Sequence, residues 1–350
     1  MRLGVIPENP VERLLARLNI VPRPLLETQI AFTLARVAMA GTELGCFEAL
    51  ASGPASSEAV AERCGTDPEA TEKLLFALAG AGYLRASDGS YELTPMARKW
   101  LLRDSENSLV DKLRFQFLEW DWVARTEDYV RSGRPLDVHE STSDPAEWDV
   151  YQRGMRSIAG LAAPEVARRI PVPNEARDLL DIGGSHGHYS AEICRRHDGL
   201  RAVVLDLPEA VEQAAPLLAA EGMGERVVHR AGNALTDDLG ADAYDVVLIA
   251  QLVHHFTDEQ NRELARRVAR ALRPGGCYAI LDFFRSATPK RARQVPSLFQ
   301  FYFALTSQSG TWAPQEMASW QEGAELEPRR PIRLRTAPGI GIQAAMKPGR

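Results

Sequence analysis

Cysteine is scarce: Cys46, Cys64, Cys194 and Cys277 are the only four in 350 residues, far apart along the chain and without a C-x-x-C pair. That excludes a disulfide scaffold and a thiolate metal cage, and it reads as reduced thiols of a cytoplasmic protein. Long apolar runs are also missing. Residues 1–26 are broken by Arg2, Glu8, Glu12, Arg13 and Arg17 and lack the apolar centre of a secretory leader. The stretch from Ile30 to Ala40 carries Arg36 and falls short of the roughly 20 residues that span a bilayer, so no membrane association is expected. Nor is positive charge in excess. Lys and Arg number 41 against 47 Asp and Glu, a net of −6, and no global field draws the chain to nucleic acid or an anionic membrane. What is present, 45% hydrophobic and 25% charged residues, is the balance of a globular chain with ample core material. The length calls for two domains, or one large α/β unit with an appendage.

Three segments are expected: 1–105, 106–170 and 171–350. In the first, Gly41–Leu50, Ser57–Cys64 and Asp67–Leu78 are short amphipathic helices. Asp67 before Pro68 is a helix start, with Leu74, Leu75, Leu78 and Tyr83 on the buried face. Asp88-Gly89 between two short alternating runs predicts a hairpin. Helices followed by a hairpin make a winged helix. Its charge argues against DNA: residues 1–105 hold 11 basic and 13 acidic side chains, and the would-be recognition helix sets Glu69 and Glu72 against Lys73. A dimerisation role fits better. Residues 106–170 are helical and rich in large side chains, among them Trp122, Trp148, Tyr151 and Met155, with loops at Arg134-Pro135 and Ser141–Pro145. Most of these residues read as core; some could wall a pocket for an aromatic ligand.

From residue 171 strands and helices alternate, the pattern of a doubly wound sheet. Strands are predicted at 178–182, 202–205, 227–230, 245–250 and 277–281, and helices at 191–196, 209–220 and 258–272. A closing hairpin, Ile332–Thr336 and Ile340–Met346 joined by Pro338-Gly339, fits poorly with an all-parallel nucleotide fold.

Three clusters follow predicted strands. Asp181-Ile-Gly183-Gly184-Ser185-His186-Gly187 has glycines where a backbone must turn tightly and approach a ligand, and the acid opening the loop suits an amine better than phosphates. Asp206 ends the next strand, where an acid binds both hydroxyls of a ribose or merely starts the helix near Pro208. Gln251-Leu-Val-His254-His255-Phe256-Thr257 ends the fourth. Thr257 with Gln260 forms a capping box, so both histidines fall in the preceding loop at the ligand-facing edge of the sheet. Histidine there is a plausible general base. Adjacent histidines in an extended loop point opposite ways, so no metal site is expected.

Together with Leu205-Asp206-Leu207-Pro208, Gly232-Asn233, Leu272-Arg-Pro-Gly-Gly276 and Leu281-Asp282, these motifs resemble, from about residue 25 to 346, the S-adenosylmethionine-dependent O-methyltransferases of the plant caffeate and bacterial polyketide-tailoring type. The resemblance implies an α/β fold: a Rossmann-like class I methyltransferase sheet ending in an antiparallel hairpin, preceded by a mainly helical winged-helix dimerisation domain. It implies S-adenosyl-L-methionine as cofactor and a homodimer formed through the N-terminal domain. By position, Gly183, Gly184 and Gly187 approach the methionine and ribose, with Asp206 on the ribose hydroxyls and Asp181 and Gln251 also among the cofactor-binding residues. Leu207 would pack on the adenine, with Asn233 and Ala234 beside its amine. His254 aligns with the general base, Asp282 with the acid that orients it, and Glu316 with a second flanking acid. Met155 lies beside the reacting centre, and Trp122, Phe299, Tyr302 and Phe303 would wall a flat, aromatic substrate.

Four positions depart from that pattern. Ser185 replaces a glycine, tolerable if its φ is negative. Asn233 replaces an aspartate, Ala250 a lysine, and His255-Phe256 an Asp-Trp pair that leaves His255 as a second candidate base. The resemblance implies methylation of a hydroxyl on a small aromatic or polyketide-type molecule. N- or C-methylation, or a non-methylating hydroxylase or pericyclase that retains the cofactor, are the alternatives.

Overall fold

The structure, a computed structural model, describes residues 4–136, 138, 144–286, 288, 290 and 293–349. The chain forms two compact units, one ending at Phe117 and the other running on from Leu118. No helix among the described residues is long and apolar enough to cross a membrane.

In the first unit the helix Ala31–Glu43 ends at Gly45, whose φ of 81° breaks it from the short turn Cys46–Ala49. Helix Ser57–Cys64 is capped by Ser56, and Pro68–Gly80 by Asp67, whose carboxylate accepts from the Ala70 N–H at 2.8 Å. Leu75 and Leu78 are fully buried from that helix, and Leu74 and Tyr83 pack at the margin of the same core. Strands β1 (Leu84–Ser87) and β2 (Ser90–Leu93) form the expected hairpin, with Asp88 and Gly89 at φ 48° and 74°. Both angles are positive, as a two-residue hairpin turn of this kind demands. Cys46 and Cys64, 18 positions apart, are hydrogen-bonded neighbours in this core, and burial pushes the Cys46 thiol up to about 12.

The second unit begins with helices Val110–Val123 (from Leu118), Thr126–Ser132 and Pro145–Arg169, the last capped by Asp144. Of the loop expected at 141–145, residues 141–143 lie outside the described residues. Strands β3 (Asp178–Ile182), β4 (Arg201–Asp206), β5 (Val227–Ala231), β6 (Tyr244–Ala250) and β7 (Leu272–Phe283) are parallel. Strands β8 (Glu327–Pro328), β9 (Ile332–Arg333) and β10 (Ile340–Met346) complete the sheet, β10 lying antiparallel to β7, β8 and β9. The order is β5-β4-β3-β6-β7-β10-β8, with β9 also on β10. Near-continuous Val, Leu, Ile and Ala in β3, β4, β6 and β7 suit strands covered on both faces.

Three elements differ from expectation. β7 starts at Leu272, five residues early, because Arg273-Pro-Gly-Gly276 is carried as an irregularity between the Tyr244–Leu272 and Val246–Cys277 pairs. β8 holds two residues, one of them a proline, too short to show any alternation. The first arm of the closing hairpin is only Ile332–Arg333.

Candidate active site

The chain leaves β3 for β4 on one side and returns to β6 on the other, so the crevice between the ends of β3 and β6 is the switch point where such sheets place ligands. Every candidate cluster sits on the carboxyl ends of these strands.

After β3, the backbone turns through Gly183 (φ 66°) and Gly187 (φ 69°) into helix His188–Arg196. Substitution room is absent. A Cβ on Gly183 would lie 2.7 Å from Leu252, on Gly184 2.5 Å from Asp181 and 2.8 Å from Val204, and on Gly187 2.6 Å from Leu218. Ser185 overturns the stated condition: its φ is +49°, in the left-handed region that disfavours a side chain. Three contacts hold it there. Its N–H donates to Asp206 Oδ2 at 2.8 Å, its carbonyl accepts from His229 Nε2 at 2.7 Å, and its hydroxyl donates to Gln152 Oε1.

Asp181 lies beneath the loop, fully buried, rather than at its surface. Oδ2 accepts from the Ser190 hydroxyl at 2.7 Å, and Oδ1 has no hydrogen-bond partner in the structure. Burial raises this carboxyl to about 7. His186, also buried, is pushed down to about 3 by the same loss of solvent; its Nδ1 accepts from the His188 N–H at 3.1 Å.

Asp206 ends β4 with Oδ1 on the Leu207 N–H at 2.8 Å and Oδ2 on Ser185; burial raises its pKa against the pull of these two bonds. The helix after it begins at Pro208 with no side-chain cap, so Asp206 is not the N-cap residue. Leu207 beside it is 42% exposed, a large apolar side chain left uncovered at the strand end. Asn233 Oδ1 accepts from the Leu235 N–H at 2.9 Å in a local turn, with Ala234 half-buried next to it.

After β6, Gln251 adopts φ 55° and its buried Nε2 has no partner in the structure. Val253–His255 form a 3-10 turn rather than an extended loop. Its carbonyl at Val253 accepts from Trp312 Nε1 at 2.9 Å and Asn261 Nδ2 at 3.0 Å, which fixes the turn. Because the turn is tight, the His254 and His255 rings lie 4.2 Å apart, correcting the expectation that they diverge. The capping box at Thr257 and Gln260 is present.

His254 is 2% exposed and Asp282, at the end of β7, is 1% exposed. His254 Nδ1 meets Asp282 Oδ1 at 3.0 Å and Oδ2 at 2.9 Å. Glu316 is engaged elsewhere, accepting from the Ala313 N–H at 2.6 Å and from Arg285. Phe303 covers the His254 ring at 3.9 Å between centroids, and Phe283 stacks on Phe299 at 4.3 Å. Tyr302 donates to Glu119 Oε1 at 2.8 Å; burial and that carboxylate push its hydroxyl well up. Met155, on helix Pro145–Arg169, and Trp122 are half-buried.

Sequence reasoning missed Gln152, His229, Asn261 and Trp312. Asn261 follows directly from the capping box, and its position one turn into the helix was a usable signal; the others come from distant segments.

Residues 26–103 match the family described as the O-methyltransferase dimerisation domain, and residues 124–323 the O-methyltransferase domain. The chain is 27% identical, over 93% of its length and 95% of the relative, to a 3-hydroxy-5-methyl-1-naphthoate 3-O-methyltransferase of Streptomyces sahachiroi. It is 24% identical, over 93% and 96%, to an N,N-dimethyltransferase of Streptomyces rimosus, OxyT. In fold it is similar to human N-acetylserotonin methyltransferase solved in complex with SAM: TM-score 0.83, 19% identity, covering 97% of this chain and 99% of that one.

Proposed function

The chain belongs to the S-adenosylmethionine-dependent O-methyltransferase family, and on that premise we propose that it methylates a hydroxyl of a small aromatic or polyketide-type molecule, with His254 as general base. The observation that carries this reading is the buried His254–Asp282 pair at the ends of adjacent parallel strands.

The residues fit the cofactor. Gly183, Gly184 and Gly187 lack room for any Cβ, Gln251 holds an unpartnered buried amide, and Leu207 offers an uncovered apolar face. Asp206 retains carboxylate lone pairs that would take the ribose hydroxyls, Leu207 would pack on the adenine, and Asn233 and Ala234 would lie by its amine. When bound, S-adenosylmethionine supplies a methyl group made electrophilic by its sulfonium centre.

The chain's own task is then proton removal and alignment. With Nδ1–H donated to Asp282, the basic nitrogen of a neutral His254 is Nε2, ready to accept the proton of a hydroxyl. Asp282 holds that tautomer and stabilises the imidazolium that results. A phenol, with an ordinary pKa near 10, lies within reach of such a base. Phe299, Tyr302, Phe303, Met155 and Trp122 wall the substrate side. The naphthoate specificity in the name of the S. sahachiroi relative supports a flat hydroxyarene. The N-terminal domain supports assembly as a homodimer.

His254→Ala is expected to lower kcat by about 100- to 10,000-fold while S-adenosylhomocysteine still binds by calorimetry. Turnover at the wild-type rate would remove the base from the mechanism. N-methylation is a second reading, favoured by the similarity to the S. rimosus enzyme. It needs less proton removal, and the same variant would then stay active.

A further inference from the structure

Ser185 is the one non-glycine residue between Gly183 and His186, and it occupies a backbone conformation that a side chain disfavours. All three of its polar groups are pinned, each by a different element: Asp206 at the end of β4, His229 on β5, and Gln152 on helix Pro145–Arg169. Gln152 is 1% exposed, and a buried amide oxygen without its donor is costly. Its neighbours on the helix are Tyr151 and, one turn on, Met155, which the proposed function sets on the substrate side.

We propose that Gln152 is a positioning residue for methyl transfer: through the Ser185 hydroxyl it holds the glycine loop and Asp206 in cofactor-binding shape, and so links the substrate-side helix to cofactor affinity. The inference rests on the reading that this loop holds the cofactor. The physical logic is local. A serine at φ +49° relaxes toward negative φ unless something opposes it, and relaxation rotates the N–H that now orients Asp206 Oδ2. The carbonyl bond from His229 fixes one side of the peptide; the hydroxyl bond to Gln152 fixes the side chain. Losing the second releases Ser185 and, with it, the acid that the ribose would meet. A residue acting this way changes binding of the nucleoside more than the chemical step.

The test is a double-mutant cycle on the full chain, read by calorimetry with S-adenosylhomocysteine and by steady-state kinetics. Gln152→Met removes the acceptor at similar volume, and Ser185→Gly removes the hydroxyl together with the strain. Q152M is expected to bind S-adenosylhomocysteine about three- to tenfold more weakly, the scale of one hydrogen bond, with the loss in KM for the cofactor exceeding that in kcat. In the S185G background the same change is expected to have no further effect. Losses that multiply across the cycle, or a Q152M affinity equal to wild type, would overturn the role of Gln152. If Q152M does not fold, Ser185→Ala decides: it keeps the left-handed strain without the hydroxyl and is expected to bind more weakly than S185G, whereas wild-type affinity in S185A overturns the proposal. Absence of heat from the wild-type protein would overturn the cofactor reading as well, so the two failures are distinguishable.

Discussion

In the proposed mechanism the base, His254, is useful only while its Nε2 is unprotonated, and Asp282 is the group that would hold it so. Both of its oxygens face His254 Nδ1, and Oδ1 also accepts from the Phe283 N–H at 2.7 Å. The backbone bond locks the carboxylate, the carboxylate locks the imidazole, and the Val253 carbonyl, bonded by Trp312 and Asn261, locks the turn beneath. Asp282→Asn keeps the volume and the position but can present an amide N–H to Nδ1, driving the proton to Nε2. The expected result is a fall in kcat of roughly 100-fold or more, with S-adenosylhomocysteine affinity within about twofold of wild type, a change well under one hydrogen bond. Equal losses in both quantities would instead mark Asp282 as a structural support of the whole cleft. Phe303 covers the His254 ring at 3.9 Å between centroids.

At the scale of elements, the glycine loop packs as it does because neighbouring side chains already fill the space that Cβ atoms would need. Gly184 has the ordinary sign of φ, so backbone freedom is not its reason for being glycine; contact is. A methyl group there would press on Asp181 and Val204, both fully buried and unable to withdraw. Gly184→Ala is therefore expected to weaken S-adenosylhomocysteine binding by tenfold or more, about 1.4 kcal/mol, and to destabilise the fold by about 1–3 kcal/mol through overpacking. A wild-type affinity and melting temperature would show that the loop shifts freely. Much of this element was legible beforehand, since a glycine run after an apolar strand has few uses. The strand positions were equally legible, because buried parallel strands read as Val, Leu and Ile runs at 179–182, 202–205 and 246–249. Ser185 was not: its positive φ is enforced by Gln152 and His229, which lie 33 and 44 residues away. The His254-His255 turn escaped for a similar reason, its tightness coming from bonds by Asn261 and Trp312 to the Val253 carbonyl. The Cys46–Cys64 contact was invisible because spacing along the chain does not report packing. Where local chemistry decided a conformation, sequence reading reached it; where a distant partner decided it, the reading had nothing to work from.

For the second unit as a whole, buried ionisable groups set how its stability depends on pH, and their signs oppose one another. Glu165 and Glu221, each with a side chain 5% exposed, are pushed up by burial. Hydrogen bonds more than reverse this, with Thr336, Arg169 and Arg335 acting on Glu165 and His188 and Arg195 on Glu221, and both are held near about 2. Their folded pKa lies below the unfolded value near 4.5, so the stability they contribute is full above pH 4.5 and is lost as pH falls toward 2. His186, near about 3 in the fold against 6.5 unfolded, stays neutral while the unfolded chain takes a proton, which removes stability as pH falls below 6.5. Asp181 acts the other way. At about 7 against 3.8 unfolded, it binds its proton in the fold first, which adds stability as pH falls from 7 to 3.8. Between pH 6.5 and 4.5 these two offset each other. Below 3.8 Asp181 has no more to add while the glutamates are still being lost. Thermal melts across a pH series should therefore show a nearly level Tm from about pH 7 to about 4.5 and a steep decline below it. Glu165 ties helix Pro145–Arg169 to the Arg335 and Thr336 backbone before β10, so Glu165→Gln should lower Tm at pH 7 and make the acid decline shallower. A wild-type decline already under way at pH 6 would show that Asp181 does not offset His186, and an E165Q curve parallel to wild type would show that Glu165 plays no part in the acid response.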